Sequence, residues 1–113
     1  MDYEIIAIGK KKLPIKFGFN ALRIYSELTG ITLSQLGNIG SDMSLNDAIT
    51  LMWCGLKDGH RAAKQDFEMT IDEASDLIDG NFDCLEKVFE VLAKQMSSGF
   101  EKKNQAKKTK AKS

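Results

Sequence analysis

A single histidine, His60, is the first residue of this chain that could perform acid–base chemistry. Histidine suits that role because its side-chain pKa lies close to neutral pH. His60 lies in the polar stretch of residues 57–65, beside Asp58, Gly59 and Arg61, and an Asp-Gly pair is typical of a turn. We therefore predict a loop here, with a solvent-exposed histidine rather than a general base.

Four neighbouring acids, Asp72, Glu73, Asp76 and Asp79, are the next candidates, in this case for metal binding. They lie between the apolar residues of a predicted short helix, in its first turn or on its outer face. Carboxylates there are ordinary partners of the helix dipole. A calcium loop would need an alternating Asp/Asn series with a glycine and a distal glutamate, which is absent. We predict no metal site at these residues.

The two cysteines and the glycine-rich loop do not match a chemical motif either. Cys54 and Cys84 are far apart and have no Cys-x-x-Cys partner, so we predict two free buried thiols in a reducing cytoplasm. Gly37 and Gly40 are not followed by the Gly-Lys-Ser/Thr of a phosphate-binding loop. The sequence therefore predicts no catalytic residue, no metal and no cofactor, and the protein is not expected to be an enzyme.

Charge is distributed unevenly between the body of the chain and its end. Residues 1–100 hold ten Lys and Arg against fifteen Asp and Glu, a balance of −5, whereas residues 101–113 hold six lysines and one glutamate, a balance of +5. Lysines can neutralise nucleic-acid phosphates, but this end has no arginine and no aromatic residue that could stack on bases. We predict one domain over residues 1–100 and a disordered, lysine-rich tail over residues 101–113, which is a solubilising or partner-seeking arm rather than a nucleic-acid contact.

Candidate partner-binding residues are the lysines of this arm and the apolar residues that no predicted helix face uses. The alternative for the apolar ones is that they complete the core. These candidates are Phe67, Met69, Phe100, Lys102, Lys103, Lys107, Lys108, Lys110 and Lys112.

The elements that would position such residues are organised around the stretch LNDAITLMWCGL, residues 45–56. Its apolar residues cover almost the whole circumference of a helix, which is typical of a buried helix. Ser44 is suited to cap its first turn, with Asp47 in the acidic position of a capping box, and Gly55 indicates close packing or fraying rather than a free surface. The main apolar stripe is formed by Leu45, Ala48, Ile49, Met52 and Leu56.

The N-terminal part of the chain predicts a β-hairpin followed by a helix. The first strand is indicated by the stretch YEIIAI, residues 3–8. The second is indicated by apolar residues that alternate with other residues over 13–19 and end at Phe19. Pro14 places its strand at an edge, or itself on the outward face. Asn20 is the predicted N-cap of the next helix, ALRIYSELT, which Gly30 ends. The inner face of that helix is predicted to comprise Ala21, Leu22, Tyr25 and Leu28, with Ile24 at its margin.

Two further helices complete the predicted fold. Thr70 and Glu73 have the spacing of a capping box, and Gly80 would end the short helix that follows. Asn81 or Asp83 would cap the last helix. Its apolar stripe comprises Phe82, Leu85, Val88, Phe89, Leu92 and Met96. The fold class predicted is mainly α (α+β), with an N-terminal β-hairpin packed on a bundle of about four helices. No apolar run reaches the roughly 18 residues that a membrane span needs.

Three stretches stand out within this order of elements: LPIKFGFNALRIYSELTGITLSQL, LNDAITLMWCGLKDGHR and TIDEASDLID. Together with the order of elements, they resemble the tail assembly chaperones of long-tailed phages and related gene transfer agents. The resemblance covers about residues 3–96. The residues that carry it are Phe17, Gly18, Ala21, Leu22, Leu28 and Gly30 in the first stretch, Leu51, Trp53, Gly55 and Leu56 in the second, and Thr70, Leu77 and Ile78 in the third.

The resemblance implies a non-enzymatic role in virion assembly, encoded by a phage or prophage and expressed late. Such chaperones coat the tape-measure protein, keep it soluble and recruit tail-tube subunits in the host cytoplasm. They are absent from the mature virion, and many are also made in a longer form by a programmed ribosomal frameshift. The expected partners are the tape-measure protein and the tail-tube protein, with self-association possible.

Two other functions stay open from the sequence. The chain could be a small nucleic-acid-binding helical module that uses its basic arm, which predicts a DNA affinity that falls steeply with salt. It could also be a structural tail or connector protein, which would remain in purified particles.

Overall fold

The computed structural model describes residues 3–32, 34–35 and 43–96 of the 113-residue chain. Over these residues an antiparallel hairpin is followed by helices, which confirms the predicted fold class. The elements are β1 (Glu4–Ile8), β2 (Lys11–Ile15), α1 (Phe19–Thr29), α2 (Leu45–Ala62), α3 (Ile71–Ile78) and α4 (residues 84–96). The predicted arm of residues 101–113 lies outside the described residues.

The hairpin consists of two antiparallel strands joined by a two-residue turn, and β1 alternates in burial. Gly9, at φ 63°, and Lys10 make the turn, and Ile8 pairs with Lys11 beside it. Every second residue of β1 points into the core, beginning with Ile6. Pro14 pairs with Ile5 in a sheet of two strands, so it lies on an edge strand as predicted, with its side chain buried.

Helix α2 forms the centre of the core. Its first turn is capped as predicted, because the Asp47 N–H donates to the Ser44 hydroxyl over 3.1 Å. Both sides of the helix are buried, since Leu51, Cys54 and Leu56 are fully inaccessible to solvent. The other helices and the hairpin therefore pack around α2, as expected for a helix that is apolar almost all round.

The loop predicted over residues 57–65 is wrong in its first part, because α2 continues to Ala62. Its last two turns include Gly59 and the buried His60. A strand packs directly against the helix backbone at Gly59, and that packing stabilises the helix where the Asp-Gly pair alone indicates a turn.

Two predictions for α1 are also wrong. The helix begins at Phe19 with Gly18 as its N-cap, so Asn20 lies inside the first turn and does not cap it. The two-residue spacing of a strand would place Phe19 on the apolar face. Because Phe19 instead begins a helix, that spacing no longer applies, and its side chain is 74% exposed. Leu28 lies on the same face as the buried Tyr25, yet it is 53% exposed, so the last turn of α1 extends beyond the packed part of that face.

Two residues assigned to later apolar stripes are exposed as well. Leu45 is the first residue of α2, and its side chain is 59% exposed. Phe82 precedes α4 in a turn rather than lying on the helix, and it is 70% exposed. The rest of the α4 stripe packs inward, with Val88 and Leu92 buried.

The capping box of α3 is present, since Thr70 and Glu73 exchange hydrogen bonds of 2.9 and 3.1 Å between side chain and backbone. Helix α4 is tied to the start of α1 by the Phe17 N–H, which donates to Gln95 Oε1 over 2.6 Å. In the described part of the chain, no helix is both long and apolar enough to cross a membrane.

Candidate functional site

Two glycines one turn apart on α2 allow β2 and the segment after it to contact the helix backbone. A Cβ atom on Gly55 would lie 2.5 Å from the Phe17 ring, and one on Gly59 would lie 2.5 Å from the Ile15 Cα atom. The Lys16 N–H donates to the Gly55 carbonyl over 2.9 Å. Of the two alternatives predicted at Gly55, this junction shows close packing rather than fraying, and it fixes the position of α1 beside the second half of α2.

Asp58 is the buried charge at this junction. Its side chain is nearly inaccessible, and its Oδ1 accepts from Arg61 Nη2 over 2.7 Å and from Arg61 Nε over 3.0 Å. Its Oδ2 has no hydrogen-bond partner among the described residues and lies against Gly18, the N-cap of α1. The carboxylate is therefore buried close to the N-terminus of α1, where a helix dipole favours negative charge.

His60 is buried on α2, so the predicted solvent-exposed histidine is wrong. Its Nδ1 donates to the Leu56 carbonyl over 2.7 Å, and its ring lies 4.9 Å from the ring of Phe67. Because Nδ1 is engaged by the helix backbone and the ring packs on an aromatic side chain, the geometry assigns His60 a role in packing.

Two predicted partner-binding residues, Phe67 and Met69, lie in the segment between α2 and α3. Both are half-buried and pack against the core, so each combines core contact with an exposed part. The Trp53 Nε1–H donates to the Met69 carbonyl over 2.7 Å, and Lys57 Nζ lies 5.5 Å from the Trp53 ring centroid. The remaining predicted residues, Phe100, Lys102, Lys103, Lys107, Lys108, Lys110 and Lys112, lie outside the described residues.

An open groove of about 390 Å³ runs between α1 and the second half of α2. We call it the basic groove. Its cations are Arg23, Lys57 and Arg61, and its apolar floor includes Phe67. The full lining comprises Asn20, Arg23, Ile24, Lys57, Asp58, Arg61, Gln65, Asp66 and Phe67. With three cations and two carboxylates, Asp58 and Asp66, the lining carries a net charge of +1, which favours a ligand with negative charge and an apolar edge.

A second open groove, of about 430 Å³, lies between the start of α2 and the end of α3. We call it the acidic groove. Two of the largest exposed apolar side chains, Leu45 and Phe82, lie on it with two carboxylates. Its lining comprises Leu45, Ile49, Ser75, Asp76, Ile78, Asp79, Gly80 and Phe82. Helical periodicity assigned Leu45 and Phe82 to the core, so the sequence did not indicate this groove.

The cysteines are free and buried, as predicted. Burial raises the pKa of the Cys54 thiol to about 12. Burial and the nearby Asp83 carboxylate raise the pKa of Cys84 as well. Both thiols are therefore protonated and poor nucleophiles at neutral pH. Within the described ranges, no group of three or more His, Cys, Asp or Glu residues is placed to hold a metal ion.

Comparison of the chain with family models, curated proteins and solved structures finds no match.

Proposed function

We propose that this chain is a tail assembly chaperone of the long-tailed phage type, a non-enzymatic protein that binds a tape-measure protein and recruits tail-tube subunits. It would act in the host cytoplasm and leave before the virion is complete. The observation that carries the proposal is the contact between two motifs of the resemblance. Phe17, from the first motif, packs against Gly55, from the second, so closely that only glycine fits there.

The third motif is also used in the packing of the fold. Thr70 caps α3 through its hydroxyl, and Ile78 is buried in the core. The residues that carry the resemblance therefore include those that define how the hairpin, α2 and α3 pack together. This supports a shared fold with the chaperones and directs the search for function to the surface.

The basic groove supplies a surface suited to the client. A long helical protein that must be kept soluble presents repeated amphipathic segments, and a chaperone needs weak, adaptable contacts with many of them. The groove combines the half-buried Phe67 with the exposed cations Arg23, Lys57 and Arg61. We propose that acidic, amphipathic segments of the tape-measure protein bind here, with the lysine-rich residues 102–112 adding long-range attraction.

The experiment that tests this function begins with the genome. The gene should lie between a tail-tube gene and a very long tape-measure gene, and the chain should co-purify with the product of that long gene. Mass spectrometry of purified particles should then find the tape-measure protein but not this chain. Its presence in particles at structural amounts would favour a structural tail or connector protein instead.

A further inference from the structure

We propose that the acidic groove is a second docking site, which binds a lysine- or arginine-bearing amphipathic helix of a partner protein. The inference rests on the described surface between α2 and α3 and holds whether or not the chain is a tail chaperone. The ligand proposed for the acidic groove is basic, whereas the ligand proposed for the basic groove is acidic.

The apolar part of the groove has the form of a binding surface. Leu45 and Phe82 come from distant parts of the chain and are 59% and 70% exposed, while Ile49 and the buried Ile78 lie between the helices. Exposed apolar residues scattered singly are normal, but contiguous ones around a groove are typical of interaction sites. A helix could place side chains spaced i and i+3 or i+4 against them.

The rim determines the charge of that helix. Asp76 and Asp79 both line the groove, and in the part of the chain that the structure describes neither carboxylate takes part in an ion pair. Asp76 lies in the last turn of α3 and Asp79 is the C-cap of that helix, so the two carboxylates lie about one turn apart at its end. Basic side chains one turn apart on a partner helix would therefore reach both carboxylates.

Among the described residues, the lining of the acidic groove contains no lysine or arginine that could pair with Asp76 or Asp79. The basic groove has three cations and two carboxylates in its lining, so the two grooves differ in net charge and favour ligands of different charge. Charge complementarity thus favours a basic helix at the acidic groove over an acidic one.

The test is an NMR titration of the full-length chain with two synthetic helical peptides of about 14 residues. The two peptides share a leucine face, and their polar faces carry either lysine or glutamate. The lysine peptide should shift the backbone amide signals of Leu45, Ile49 and residues 75–82. The glutamate peptide should leave these signals unchanged.

Variants of exposed residues keep the test independent of folding. The double variant Leu45→Ser with Phe82→Ser should weaken binding of the lysine peptide about tenfold or more, as expected for central apolar contacts. The double variant Asp76→Asn with Asp79→Asn should weaken it about fivefold at low salt and reduce its salt dependence. Phe19→Ser, at a similarly exposed phenylalanine on α1, is the matched control and should bind as the wild type does.

Several results would overturn the proposal. Lysine-peptide binding that neither double variant changes, or signal shifts confined to another face, would exclude this groove as its site. A wild-type dimer that Phe82→Ser dissociates would assign the groove to a second copy of the chain. Groove signals that move when Lys107, Lys108, Lys110 and Lys112 are replaced by glutamine, without any peptide, would assign it to the chain's own lysines.

Discussion

Gly59 of α2 lies directly against Pro14 of β2, and a Cβ atom on Gly59 would overlap the Pro14 carbonyl oxygen. The same atom would lie 2.5 Å from the Ile15 backbone nitrogen, so the neighbours are backbone atoms that no side-chain rotation can move away. This contact holds the hairpin on α2 and places α1 next to the basic groove. The site therefore depends on a glycine in the interior of a helix.

Gly59→Ala should consequently destabilise the protein. On intrinsic helix propensity alone, alanine would stabilise a helix interior by about 1 kcal/mol relative to glycine. The overlap with β2 reverses that sign, and we expect a loss of about 2 kcal/mol or more in the free energy of unfolding. Urea denaturation measures it, with Glu86→Ala on the exposed side of α4 as a neutral control. An unchanged or increased stability of Gly59→Ala would contradict the packing at this junction.

The same glycine shows where sequence reasoning stops. The Asp58-Gly59 pair is a local signal for a turn, and it was outweighed by packing against a strand more than forty residues away in sequence. The caps at Ser44 and Thr70 were predicted correctly because both partners of each hydrogen bond lie within three residues of each other. Local chemistry is visible in a sequence, whereas long-range contact is not.

The candidate surfaces show the same limit. Periodicity places Leu28 and Leu45 on the apolar faces of their helices, but it does not tell whether another element covers that turn. Phe67 was a predicted partner residue and does line a groove, although its cationic neighbours Arg23 and Lys57 come from different helices. The grooves could therefore not be assembled from the sequence alone.

Two ion pairs of similar spacing should differ in their contribution to stability. Arg61 bonds to the buried Asp58, whereas Arg23 bonds to Glu27 over 3.3 Å with both side chains largely exposed. Arg61→Ala removes the only described hydrogen-bond donors to a buried carboxylate and should cost about 1.5–3 kcal/mol. Arg23→Ala should cost less than about 0.5 kcal/mol. Thermal and urea unfolding of both variants check the difference, and equal effects would show that Asp58 is not buried in solution.

Stability should fall at alkaline pH because the pKa values of Cys54, Cys84 and Tyr25 are raised in the folded chain. Burial raises the pKa of Cys54 to about 12, and burial with the nearby Asp47 charge raises that of Tyr25 to about 12. Their ordinary values are 9.0 and 10.0, so the unfolded chain loses these protons first as the pH rises. The free energy of unfolding should be unaffected by them below pH 9 and decrease from there to about pH 12. Urea denaturation over that range measures the slope.

Tyr25→Phe provides the control for this pH dependence. The variant lacks the ionisable hydroxyl, so its stability should decrease less steeply than that of the wild type above about pH 10. Identical slopes for the two proteins would show that Tyr25 has an ordinary pKa in the folded state.

The lysines of residues 102–112 should strengthen client binding through long-range attraction. Replacing Lys107, Lys108, Lys110 and Lys112 by glutamine should weaken binding to a tape-measure fragment about fivefold at low salt. The difference should shrink at high salt, where the charges are screened. Fluorescence anisotropy at several salt concentrations checks this, and equal affinities at low salt would remove these lysines from the mechanism.

The central claim is that this chain binds a tape-measure protein through the basic groove. Its most direct measurement is co-expression with a fragment of the neighbouring long gene, followed by quantification of the soluble complex. We expect the wild type to keep the fragment soluble, and the double variant Arg23→Glu with Lys57→Glu to lose most of the complex. The matched charge reversal Lys11→Glu with Lys12→Glu, on the exposed hairpin, should leave it intact. A fragment that stays insoluble with the wild type would contradict the chaperone function, and equal complex formation by both double variants would contradict the groove.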